Sequence, residues 1–64
     1  MPILHLQLME GRSVEQKTAL LADLTSVVER HLGVDPDRIH VLITEISEGH
    51  WARAGVPLKS TPSQ

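Results

Sequence analysis

Proline at position 2 is the first residue whose type and place could do chemistry. Behind an initiator methionine it is small enough that aminopeptidases commonly remove Met1, which leaves a free secondary amine at the chain start. An α-amino group titrates near ~8 in a peptide, and burial or neighbouring cations lower that value. Such a nitrogen can act as a general base or attack a carbonyl carbon. Position alone equally fits a proline that happens to stand second.

Arg12 follows Gly11 in the turn before Ser13. Its planar guanidinium fork suits a substrate carboxylate, although a solvated surface arginine reads the same way. Four histidines, His5, His31, His40 and His50, show no i, i+4 pair of the kind that holds zinc on a helix, and no carboxylate-rich loop suits calcium. No metal or cofactor is expected. The four glycines are scattered and make no phosphate-cradling loop. His31 falls on an apolar helix stripe and reads as packed rather than catalytic, whereas His40 lies in a strand and is harder to set aside.

Three elements must position these groups. Leu4, Leu6 and Leu8 alternate with His5 and Gln7, a period of two that predicts a strand over 3–9. Glu10-Gly11 ends it. Ser13-Val14-Glu15-Gln16 is a capping box, with Glu15 favourably charged at the positive end of the helix dipole. Leu20, Leu21, Leu24, Val27, Val28, His31 and Leu32 then recur at spacings of three and four, one apolar stripe. Gly33 closes this helix, and Pro36 prevents its resumption. Residues 39–46 are rich in β-branched types and predict a second strand, buried over much of both faces. Beyond them lie a loop, with a short hairpin expected around 51–58, and a flexible tail over about 59–64.

Strand, helix, strand is a βαβ unit with parallel strands, a right-handed crossover in the α/β (α+β) class. Two strands under one helix leave both sheet edges and one face uncovered. The chain has 64 residues, nine leucines, six valines, four isoleucines and a single aromatic residue, Trp51. Ordering each residue costs roughly 1.5 kcal/mol, so a chain this short relies on disulfides, a metal or oligomerisation. Cysteine is absent, so no disulfide framework is available, and no metal-ligand cluster stands in for one. A single domain over 1–64, completed by self-association, is the expectation.

Charge excludes other roles. Eight acidic against six basic residues give a net charge of −2, without the concentrated basic patch that nucleic acid demands. No apolar run approaches the ~20 residues that span a bilayer, and the N-terminus lacks the pattern of a signal peptide. The expectation is a cytoplasmic protein with no nucleic-acid or membrane partner.

Taken in order, Pro2-Ile3, the turn Met9-Glu10-Gly11-Arg12-Ser13 running into Glu15-Gln16-Lys17, Ile43-Thr44-Glu45 and Gly49-His50-Trp51 resemble the 4-oxalocrotonate tautomerase family. The likeness covers about residues 2–58. It implies a βαβ subunit assembled as a hexamer, a trimer of dimers, with active sites between subunits and no cofactor. It further implies that Pro2 is the general base that moves a proton between carbons of an unsaturated 2-hydroxy or 2-oxo acid. Arg12 then matches the arginine that binds the distal carboxylate, and Trp51 supplies an apolar wall, although Trp51 also fits plain interface packing.

One departure bears on substrate. Relatives typically carry a second arginine in the second strand, where this chain has His40. A histidine is shorter and cannot bind a carboxylate bidentately, so the dicarboxylate of the namesake enzyme is in question. Arg38, two residues earlier, would face the same side if the strand reached it, or belong to the preceding loop. The additional arginine and glutamate of dehalogenase-type relatives are replaced by Met9 and Arg53, which argues against water-adding chemistry. Two further readings stand beside a tautomerase: an imine- or enamine-forming carbonyl enzyme on the same amine, and a non-catalytic oligomeric binding subunit.

Overall fold

The structure is a computed structural model that describes residues 1–59. Strand β1 (Ile3–Met9) leads into helix α1 (Val14–Leu32), a short 3₁₀ turn (Pro36–Arg38), and strand β2 (His40–Ile46). A second 3₁₀ turn (Glu48–His50) precedes the hairpin of β3 (Ala52–Arg53) and β4 (Val56–Pro57). The small βαβ unit with a C-terminal hairpin is as the residue pattern predicts. The expected tail over 59–64 lies, beyond Lys59, outside the described residues.

The helix ends are built as the capping residues dictate. The Gln16 N–H donates to Ser13 Oγ at 3.1 Å, and the Ser13 N–H donates to Gln16 Oε1 at 3.0 Å. Two of the donors that a helix start leaves unpaired are thereby satisfied. At the other end Gly33 adopts a left-handed conformation, φ 65°, and its N–H donates to the Glu29 carbonyl at 2.9 Å. A side chain at that φ is strained, so glycine ends the helix at low cost.

Strands β1 and β2 pair in parallel, with Ile3 opposite His40, Leu8 opposite Glu45 and Met9 opposite Ile46. Period two then sorts the sheet into two faces. Leu4, Leu6, Leu8, Val41 and Ile43 are half-buried on one, with Leu20, Leu21, Leu24 and Val28 of α1 half-buried as well. Ile3, His5, Gln7, His40, Leu42 and Thr44 lie exposed on the other, Ile3 at 68% and Leu42 at 49%.

Three expectations need correction. Strand β2 begins at His40, and Ile39 is buried as the exit from the 3₁₀ turn, where its N–H donates to Pro36. Neither is β2 buried on both faces, because a single helix can cover only one side of a two-stranded sheet. His31 is exposed rather than packed, as are Val27 and Leu32. Nineteen helical residues rise about 28 Å, whereas a seven-residue strand extends about 20 Å, so the last helical turn has no sheet beneath it.

Among the described residues only Met9 and Ile39 are buried. The Cα radius of gyration is 14.2 Å, against about 11 Å for a compact chain of this length. A lone subunit thus leaves most of its apolar supply without a core. No helix among the described residues is long and apolar enough to cross a membrane.

Candidate active site

Two clusters hold the chemistry-bearing residues, one at each end of the sheet. Pro2 is half-buried, and its carbonyl accepts a hydrogen bond at 3.1 Å from the His40 N–H. This bond continues the β1–β2 ladder by one residue and fixes the chain start against the start of β2. Met1 projects beyond it, 80% exposed. The His40 side chain lies on the open face of the sheet beside Ile3. Arg38 is exposed in the 3₁₀ turn, where its own N–H donates to Asp35 at 2.9 Å. Of the two placements open to Arg38, the loop is the one adopted.

Arg12 and Trp51 form the second cluster. The Glu10 N–H donates to Ile46 at 3.0 Å, which carries the ladder to the end of β1. Gly11 then turns the chain at φ 130°, a conformation that side chains rarely adopt, and Ser13 caps the helix two residues on. Arg12 is pinned between these two devices and is half-buried. No hydrogen bond or ion pair to another described residue holds its guanidinium. It borders two open concavities. One, of about 270 Å³, is walled by Gln7, Leu8, Met9, Trp51 and Leu58; the other, of about 320 Å³, by Leu8, Gln16, Lys17 and Leu20.

Trp51 is held there by the hairpin. Ala54 and Gly55 both have positive φ, 54° and 79°, as a tight two-residue turn requires. The Leu58 N–H donates to the Trp51 carbonyl at 2.7 Å and closes the loop against the end of β1. An unpaired cation beside an indole and several aliphatic side chains suits a small organic anion with an apolar body.

The two clusters do not meet within one chain. Strand β1 separates them, and its six residue steps at roughly 3.3 Å make about 20 Å. Pro2 with His40, and Arg12 with Trp51, are therefore two separate clusters within the subunit.

Two polar pairs in the sheet escape sequence reasoning. Lys17 Nζ lies 2.8 Å from Glu45 Oε1, joining α1 to β2, and His5 Nε2 lies 2.6 Å from Thr44 Oγ1 on the open face. The first had a signal, since Glu45 shares its parity with Val41 and Ile43 and so faces the helix. Among the described residues no group of three or more His, Cys, Asp or Glu could hold a metal ion.

Comparison with known proteins agrees with this architecture. Residues 2–61 match the family model described as tautomerase enzyme. A probable tautomerase of Staphylococcus haemolyticus is 43% identical over 56 residues, which span 88% of this chain and 90% of that protein. A probable tautomerase of Ralstonia nicotianae is 40% identical over 57 residues, 89% of this chain and 81% of that one. Among solved structures, a 4-oxalocrotonate tautomerase homologue superimposes with a TM-score of 0.85 at 35% identity, over 89% of this chain and 90% of its own. A heterohexamer 4-oxalocrotonate tautomerase from Chloroflexus aurantiacus gives 0.83 at 30% identity, over 89% and 92%. The chain belongs to the tautomerase family, of the 4-oxalocrotonate tautomerase type, and is an enzyme of the isomerase class.

Proposed function

We propose that this tautomerase acts on a small unsaturated 2-hydroxy or 2-oxo acid, with the amine of Pro2, freed by loss of Met1, as general base. The neutral nitrogen takes a proton from one position of the conjugated acid, and the electron pair left behind spreads onto the oxygen at C2. His40 donates a hydrogen bond to that developing oxyanion. The ammonium then returns the proton to another carbon of the chain, so base and substrate end with their proton count unchanged. A donor aimed at developing charge is typically worth about 10²–10³ in rate. Arg12 binds the distal carboxylate, and Trp51 lines the apolar stretch between.

The observation that carries the reading is the separation of the half-sites. With about 20 Å between them, Pro2 of one subunit can meet only the Arg12 of another. The exposed sheet face and the two-residue core support the same conclusion, because burial between copies must offset the ordering entropy. We take the assembly to be a homohexamer, a trimer of dimers.

The direct test is kinetic. Protein whose intact mass verifies a Pro2 terminus should interconvert enol and oxo forms of such an acid. Pro2→Ala should assemble normally and lose most of its turnover, and retained Met1, which converts the amine to an amide, should abolish it. Equal activity with Met1 attached would remove the amine from the mechanism.

A further inference from the structure

The concavity on the helix side of Arg12 has an unusual charge balance. Two of its lining residues are cations, Arg12 and Lys17, and both are half-buried. Arg12 is unpaired among the described residues, but Lys17 is held at 2.8 Å by Glu45. Glu45 does not itself line the concavity, but its Oε1 lies 2.8 Å from the Nζ of Lys17, which does, so the carboxylate compensates a lining charge. Glu45 occupies the third helix-facing position of β2, after Val41 and Ile43. Glu10 and Glu15, the other acidic residues near the turn, line neither concavity, and unlike Glu45 neither is paired with a cation that does. Two positive charges and one negative leave the pocket with a surplus of one.

We infer that this concavity is a subsite for a singly charged anionic group, and that Glu45 sets the limit by cancelling the charge of Lys17. The inference rests on the proposed role of Arg12 in anchoring substrate and adds a determinant of specificity. The partly exposed ion pair contributes little to stability, so its effect is on which ligand enters. A carboxylate needs one uncompensated cation and finds it in Arg12. A phosphate or phosphonate dianion needs two and meets the Glu45 carboxylate instead. Leu8 and Leu20 add an apolar floor that suits a hydrocarbon body behind the charged head.

Calorimetric titration of the assembled protein with benzoate and with phenylphosphonate above its second ionisation separates the two cases, since the ring is shared and the head group carries one charge in the first and two in the second. Wild type should prefer benzoate. Glu45→Gln frees Lys17 and raises the pocket surplus to two, which should shift the ratio of affinities about tenfold toward phenylphosphonate. Lys17→Met leaves the Glu45 carboxylate uncompensated, lowers the net charge by one and should weaken benzoate by a similar factor. The double variant restores a surplus of one and should return to the wild-type ratio, a rescue that a purely structural role for the pair would not produce. If Glu45→Gln does not assemble, Lys17→Met and the double variant carry the same test. An unchanged ratio in the single variants overturns the inference alone. Benzoate binding that Arg12→Ala leaves untouched overturns both the anchoring role of Arg12 and this inference built on it.

Discussion

The backbone N–H of His40 donates to the carbonyl of Pro2 at 3.1 Å, and this bond fixes which strand residue stands beside the chain start. It ties the start of the chain to the start of β2, so strand and amine move as one unit. His40, the first residue of β2, is thereby held beside the chain start, whereas Arg38, in the 3₁₀ turn before the strand, is not held there.

From this placement His40→Ala should lower kcat/KM on a monocarboxylate enol by about 10²–10³, the usual loss for one donor to developing charge. His40→Arg should raise turnover of a dicarboxylate dienol, because a guanidinium offers the bidentate contact that imidazole lacks. Arg38→Ala should leave both activities near wild type. If His40→Ala instead matches wild type while Arg38→Ala collapses, the role passes to Arg38.

Assembly is the second prediction. With two buried residues among those described and 68% of Ile3 exposed, a single subunit should not persist as a folded species. Sedimentation at micromolar concentration should find a folded oligomer of about six chains and no folded 7.1 kDa component. A stable folded monomer would contradict this.

Backbone geometry gives the third. Alanine at Gly33 meets nothing within 4 Å, yet φ 65° strains any L side chain by about 1 kcal/mol. Gly49 is equally open but has no left-handed φ, so alanine there should change stability by less than about 0.5 kcal/mol. Denaturant midpoints of Gly33→Ala and Gly49→Ala should separate accordingly; equal losses would remove the helix-cap argument.

Local signals were the most legible part of the chain. The capping pair Ser13 and Gln16, the closing Gly33 and the alternation through Leu4, Leu6 and Leu8 each act within a few residues, and each appears where the pattern places it. Long-range burial was less legible. The β-branched run of β2 suggested two covered faces, but a run of types cannot report that the second cover is missing from the subunit. The helix stripe likewise could not say that the sheet stops short of His31. At the site, the order and spacing of Pro2, Arg12 and Trp51 carried the family likeness. The parity of Glu45 with Val41 and Ile43 points it at the helix, but its pairing with Lys17, 28 residues away, is a contact that no local pattern reports.

The central claim is that Pro2 and Arg12 serve one site from different subunits, and mixing two inactive variants tests it most directly. Pro2→Ala and Arg12→Ala, each assembled alone, should have little activity. Unfolded together and refolded as mixed oligomers, they should regain up to about a quarter of the wild-type rate, because one random pairing in four joins an intact Pro2 to an intact Arg12 across an interface. No recovery in verified mixed oligomers would mean that each chain supplies both groups to its own site, and the account of two half-sites would be wrong.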